Sequence, residues 1–140
     1  MDPDLFRHQI RLRGPWQFAW QDDHAPAGTI QHPDEWPQTI GNRAGTIALR
    51  RRFHAPTNID AQEEVFVVLT GVNGTGTIRL NDKSLGGFET TRSTWEFRLP
   101  RDLPRFNELA IDVSFPASTP ETPLTGLYDT VLLEIRGPAK

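Results

Sequence analysis

The chain has no cysteine and only one methionine and one tyrosine among its 140 residues. Without cysteine there is no disulfide, thiolate nucleophile or thiolate-bound metal, so an apolar core must hold the fold together. Long apolar runs are also missing, and no stretch approaches the roughly 20 apolar residues of a membrane-spanning helix. Residues 1–7 have neither the basic nor the apolar region of a signal peptide. We therefore expect no membrane segment, no export signal and, by default, a cytoplasmic location.

A large excess of positive charge is absent as well. The formal net charge is -3, whereas partners with a phosphate backbone favour a strongly basic surface. We therefore expect neither nucleic acid nor a membrane surface as a partner. The length suits one domain, and we take residues 1–140 as a single domain.

Helical patterning is absent too. The chain has 12 prolines and 11 glycines, and no window free of them keeps the i, i+3, i+4 apolar stripe of a long helix. Instead, apolar and polar residues alternate over 16–20, 94–99 and 109–115, which is typical of strands with one buried face. Residues 65–69 are apolar at every position, which indicates a strand covered on both faces.

The turns complete an all-β prediction. Asn81 and Asp82 lie between two short alternating segments, as in a tight β-hairpin, while 22–45 and 116–126 are rich in proline or glycine and are predicted to be loops. We expect a two-sheet antiparallel β-sandwich of the jelly-roll kind, with about eight strands and no sizeable helix. The residues expected to be mostly buried are Trp16, Phe18, Phe53, Val67, Leu69, Leu80, Trp95, Phe97, Ile111 and Val113.

Several segments in sequence order resemble one known domain type. They are residues 12–18, 45–56, 69–73, 80–86, 97–113 and 126–133. Together they resemble the N-terminal sugar-binding domain of family-two glycoside hydrolases such as β-galactosidases and β-glucuronidases. The resemblance covers almost the whole chain and implies a galactose-binding-domain-like jelly roll.

The same resemblance argues against an enzyme. In that family the catalytic carboxylates belong to a separate (β/α)₈ barrel, a fold of about 250 residues. Glycoside hydrolysis needs two carboxyl groups facing one bond, about 5 to 9.5 Å apart. The acidic pairs 22–23 and 63–64 are neighbours, and neighbours on a strand point to opposite faces. Thr90 stands where β-galactosidase-like members have an acidic residue, whereas Arg92 matches a basic residue of their pattern.

A ligand site is expected on the loops, where binding residues usually gather on a rigid scaffold. We place it at the end of the sandwich that carries Trp36, Glu89, Arg92, Tyr128 and Asp129. An exposed aromatic ring would stack on a sugar while polar side chains take its hydroxyls. For Trp36 two alternatives remain: it either offers this stacking surface or plugs the open end of the sandwich.

The first long loop also holds a group of potential metal ligands, which are Asp22, Asp23, His24, His32, Asp34 and Glu35. Their spacing matches no common metal motif, and solvated loop residues are the more frequent explanation of such a group. We assign no metal and no cofactor.

These observations favour a non-catalytic carbohydrate-binding module for a mono- or oligosaccharide, with the ligand at the loop end. The alternative is a protein-interaction or oligomerisation module, such as a homodimer, that uses a flat sheet face or an edge strand and binds no sugar.

Overall fold

The computed structural model describes residues 5–21, 27–40, 43–57 and 59–138, with side chains described from residue 8 to residue 137 within those ranges. The described chain consists almost wholly of antiparallel strands, with a single helical turn. In chain order the elements are β1 (Leu5–Arg11), β2 (Trp16–Trp20), β3 (Ala27–Ile30), α1 (Trp36–Thr39), β4 (Gly45–His54), β5 (Glu64–Thr70), β6 (Val72–Asn73), β7 (Thr75–Leu80), β8 (Lys83–Phe88), β9 (Thr94–Arg98), β10 (Phe106–Phe115), β11 (Gly126–Leu127) and β12 (Val131–Pro138).

Two sheets form the sandwich. One has four strands in the order β1-β12-β5-β9, and the other has six in the order β3-β2-β4-β10-β7-β8. A third, two-stranded sheet pairs β6 with β11. Every pairing is antiparallel, and the predicted two-sheet all-β sandwich is confirmed.

The core lies between the two sheets. Strand β2 alternates between buried and exposed residues along its whole length, and the inward residues of β5 and β10 are almost completely buried. Every predicted core residue is buried except Trp95, which is half-buried because β9 is the edge strand of its sheet. In β4, Arg51 shares the inward parity of Leu49 and Phe53.

The hairpin prediction is also confirmed. Asn81 and Asp82 connect β7 to β8 with φ angles of 51° and 68°. Two successive residues in the left-handed region give the type of turn whose twist matches that of paired strands.

The prediction that residues 22–45 form only a loop is partly wrong. Strand β3 pairs with β2, and α1 adds one helical turn. Strand β3 is an edge strand with three exposed residues out of four, so it has no alternating pattern to detect. Helix α1 has only four residues, and within the described ranges no helix is long and apolar enough to cross a membrane.

Candidate functional site

One end of the sandwich is built around the short sheet of β6 and β11. We use the name loop end for residues 70–73, 89–93 and 126–130. The amide of Val72 donates to the Ser93 carbonyl at 3.0 Å, and the amide of Tyr128 donates to the Gly71 carbonyl at 3.1 Å. These bonds bring the 89–93 loop and residues 126–130 to opposite sides of β6. The predicted site residues on those two segments therefore lie at one end of the molecule.

Trp36 does not offer a surface to a ligand there. Its side chain is only 1% exposed, and its Nε1 donates to the Thr125 carbonyl at 2.9 Å. Its ring lies 5.6 Å from the rings of both His32 and Phe115, measured between centroids. Gly126, with φ of 71°, passes so close that a Cβ atom would overlap the Trp36 ring. Trp36 is thus the plug of the open end, and the alternative role as a stacking platform is wrong for this conformation.

His32 forms the second layer of that plug. It is 4% exposed and lies between the rings of Trp16 and Trp36. Its Nε2 is 2.6 Å from the Leu127 carbonyl oxygen, which can only accept, so Nε2 carries the proton. Its Nδ1 is buried without a partner. Burial lowers the pKa of His32, while the Leu127 carbonyl and the carboxylates of Asp129 and Asp34 oppose this shift.

On the other side of β6, Arg92 and Glu89 hold a compact loop. The guanidinium of Arg92 lies 4.1 Å from the centre of the Trp95 ring, a cation-π distance. The Trp95 Nε1 donates to the carbonyls of Glu89 and Arg92, each at 3.0 Å. Thr90, where an acidic residue was expected, donates its hydroxyl to the Gly74 carbonyl at 3.3 Å. Both Glu89 and Arg92 are exposed residues.

Tyr128 and Asp129 follow β11 directly. Tyr128 is half-buried and packs against the core, and Asp129 is exposed. Gly71, with φ of 76°, runs so close to both that only glycine fits there without displacing them. The structure therefore brings four predicted site residues to the loop end, in two pairs on opposite sides of β6.

No metal centre is found in the part of the chain that the structure describes. No three His, Asp or Glu side chains come together there in a group that could hold an ion. Of the six potential ligands, Asp22, Asp23 and His24 lie outside the described residues.

A hollow lies at the opposite end of the sandwich, away from the predicted site, and we call it the far-end hollow. Its volume is about 450 Å³, and it is lined by residues 55–56, 59–61, 63–65, 98–101 and 103. Its carboxylates are engaged in the fold: Asp60 accepts the Gln62 amide at 2.9 Å, Glu63 accepts the Asp60 amide at 3.1 Å, and Glu64 pairs with Arg98 at 3.1 Å. Sequence reasoning missed this hollow because its walls come from two loops about 40 residues apart, and neither loop carries a motif.

A second region missed from the sequence is the outer face of the six-stranded sheet. Phe106, the first residue of β10, is 65% exposed. A cavity of about 520 Å³ at this ring is also lined by Arg52, His54, Asn81 and Glu108. The sequence does hold one signal for this region, because Phe106 is an apolar residue on the outward parity of an alternating strand.

The sandwich is found within solved glycoside hydrolases. The chain is similar to part of an FMN-binding β-glucuronidase from Facaelibacterium prausnitzii L2-6, with a TM-score of 0.75 and 24% identity over 92% of this chain and 22% of that chain. It is also similar to part of a β-glucuronidase from Bifidobacterium dentium, with a TM-score of 0.69 and 15% identity over 96% of this chain and 30% of that chain. A β-galacturonidase from Eisenbergiella tayi matches with a TM-score of 0.64 and 18% identity over 91% of this chain and 24% of that chain.

At these identities the similarity concerns the fold, and at that level it confirms the resemblance drawn from the sequence. The chain spans about a fifth to just under a third of the length of these three solved structures. No protein-family model matches the sequence, and no curated protein matches it.

Proposed function

We propose that this chain is a non-catalytic carbohydrate-binding domain. The observation that carries the proposal is the fold similarity: almost the whole chain matches a minor part of each of several enzymes named as acting on glycosides. On this proposal the domain holds a sugar and does no chemistry on it.

The loop end supplies a suitable set of groups for a small sugar. Arg92, Glu89 and Asp129 are exposed, and charged groups of this kind bind hydroxyls through charge-assisted hydrogen bonds. With Trp36 buried, the half-buried Tyr128 is the remaining aromatic residue of the predicted site that could contact the apolar face of a sugar ring. The backbone bonds that hold Gly71 and Val72 keep these groups on a rigid base.

The proposal that the domain is non-catalytic rests on the carboxylates. In the far-end hollow, Asp60, Glu63 and Glu64 have hydrogen-bond or ion-pair partners. At the loop end, Glu89 and Asp129 lie on opposite sides of β6. These partners and positions argue against a paired acid and base of the kind that glycoside hydrolysis requires.

Titration calorimetry with galactose, glucuronic acid and short oligosaccharides tests the function. We expect saturable binding by the wild type and a loss of about tenfold or more in Asp129→Asn and Arg92→Gln. Arg101→Gln, at the opposite end, is the matched control and should bind like the wild type. A wild type that binds no sugar at millimolar concentration would defeat the proposal.

One observation favours the second candidate, a protein-interaction module. Strand β1 lies at the edge of its sheet and pairs with β12 alone among the described strands. Its side chains from His8 to Arg11 are all exposed, including Ile10 at 38%. An open edge of this length can add a strand from a second molecule. Light scattering that shows a stable dimer, together with no sugar binding, would support this reading.

A further inference from the structure

Three neighbouring cavities form one continuous groove on the outer face of the six-stranded sheet. Their volumes are about 520, 370 and 500 Å³. The first and second share Arg52 and Glu108 in their linings, and the second and third share Gln17, Thr29 and Arg50. We call this continuous surface the sheet groove.

The sheet groove is long. It begins at Phe106 on β10 and ends at Ala27 on β3. Paired residues on neighbouring strands form a row across the sheet that runs from Ala27 through Ala19 and Ala48 to Asp112 on β10. That is six residues along the strands and three strand spacings across them, a diagonal of roughly 25 Å. The distance suits a chain of linked sugars better than a single ring. Alanines at the far end keep the floor low, so such a chain can lie close to the sheet.

An aromatic ring stands at one end of the sheet groove. Phe106 is 65% exposed, and the ring of His54 meets it edge-on at 4.9 Å between centroids. Burying an apolar ring of this size is favourable, and here water covers most of it. A ligand that covers the ring gains that burial free energy, and the C–H face of a pyranose is such a ligand.

The sheet groove carries more positive than negative charge. Arg50 and Arg52 both approach the same carboxylate, that of Glu108, at 3.8 and 4.0 Å. One carboxylate is therefore shared between two guanidiniums. The nearby ion pair of Arg79 and Asp112, at 3.3 Å, has no net charge and leaves the net charge of the groove unchanged.

We propose that the sheet groove binds an acidic oligosaccharide, with one sugar ring on Phe106 and the carboxylates of the following sugars on Arg52 and Arg50. The inference rests on the proposed carbohydrate-binding function and adds a second, extended site away from the loop end. The exposed ring and the guanidiniums select the ligand class: an apolar C–H face satisfies the first, and carboxylates satisfy the second.

The test uses uronic acid tetrasaccharides, namely oligogalacturonate, oligomannuronate and a hyaluronan tetrasaccharide, each beside its carboxyl-reduced counterpart. We expect calorimetry to show binding of at least one acidic oligomer, and a loss of about tenfold or more on carboxyl reduction. Binding should also weaken as salt is raised from low to physiological ionic strength, because exposed charges are screened.

Two variants locate the ligand. Phe106→Ala and Arg52→Gln change exposed side chains, so melting curves should stay close to wild type while affinity falls about tenfold or more. Arg98→Gln is the matched control, an exposed arginine with a carboxylate partner on the other sheet, and should bind like the wild type.

Three results would overturn the inference. They are equal binding of the acidic and carboxyl-reduced forms, wild-type affinity in both groove variants, and no binding of any acidic oligomer. If sugars bind but only Asp129→Asn and Arg92→Gln lose affinity, the groove site fails while the proposed function stands. If no sugar of either test binds, the proposed function fails first and the groove site with it.

Discussion

At the scale of single residues, His32 makes stability depend on pH. Burial lowers its pKa below the ordinary value of about 6.5 that it regains on unfolding. The unfolded chain therefore binds a proton more readily than the folded one. The contribution of neutral His32 is fully present above about pH 6.5 and is lost as the pH falls below that value, by at most about 1.4 kcal/mol per pH unit.

Urea unfolding at a series of pH values from 8 to 5 measures this effect. His32→Gln is the matched variant, because its amide can still donate to the Leu127 carbonyl but does not titrate. We expect the difference in unfolding free energy between wild type and variant to shrink as the pH falls. A difference that stays constant across this range would show that His32 keeps its ordinary pKa in the fold.

Trp36 gives the second prediction at this scale. Trp36→Ala removes a fully buried ring from between His32 and Phe115, so the free energy of unfolding should fall by about 3 to 5 kcal/mol. Trp36→Phe keeps an aromatic ring but leaves the Thr125 carbonyl without its donor. It should lower the free energy of unfolding by less than Trp36→Ala does. Calorimetric melting of both variants measures the difference, and a nearly unchanged Trp36→Ala would contradict the plug assignment.

Sequence alone could not decide the role of Trp36. Its neighbours are loop residues, so no strand parity says which way the ring points. The contact that buries it comes from Thr125 and Gly126, about 90 positions later in the chain. Trp16 and Phe18, in contrast, belong to an alternating strand, and their burial follows from that pattern.

At the scale of elements, the turn between β7 and β8 depends on Asn81. Its Nδ2 donates to Asn107 Oδ1 at 2.9 Å, and its Oδ1 accepts the Glu108 amide at 2.8 Å. Its left-handed backbone, with φ of 51°, is one that asparagine and glycine tolerate best. We expect Asn81→Ala to lower the free energy of unfolding by about 1 to 3 kcal/mol through the lost bonds and the strained backbone.

Asn81→Gly separates these two causes, because glycine keeps the backbone conformation and loses only the side-chain bonds. Urea unfolding of both variants should place the glycine variant between the wild type and the alanine variant. If alanine and glycine cost the same, the backbone conformation contributes nothing measurable to the effect.

The elements that the sequence revealed are those with a buried face. Strands β2, β5, β10 and β12 carry periodic or continuous apolar residues, and each is an inner strand of its sheet. Edge strands β1 and β3 were missed because most of their described side chains are exposed to solvent. A strand without a buried face needs no alternation of apolar and polar residues, so the sequence shows none. The groove across the outer sheet face was missed because it is made by strands that pair far apart in sequence.

At the scale of the whole molecule, the similarity to glycoside hydrolases and the proposed absence of catalysis give opposite expectations for activity. The matched enzymes are three to five times longer than this chain, as the matched shares show. The carboxylates of the far-end hollow accept hydrogen bonds from backbone amides or pair with Arg98. A retaining or inverting reaction needs two carboxyl groups free to face one glycosidic bond.

We therefore expect no hydrolysis of 4-nitrophenyl galactoside or glucuronide above the buffer rate. Release of 4-nitrophenol, followed over hours at high protein concentration, measures this. Contaminating enzyme is the usual source of a false signal, so any activity must be repeated with Glu63→Gln, Glu64→Gln, Glu89→Gln and Asp129→Asn. Turnover abolished by one of these substitutions would overturn the non-catalytic proposal, because a contaminant would be unaffected by a change in this chain. Turnover that persists in all four would be assigned to a contaminant, and the binding tests would then decide the function.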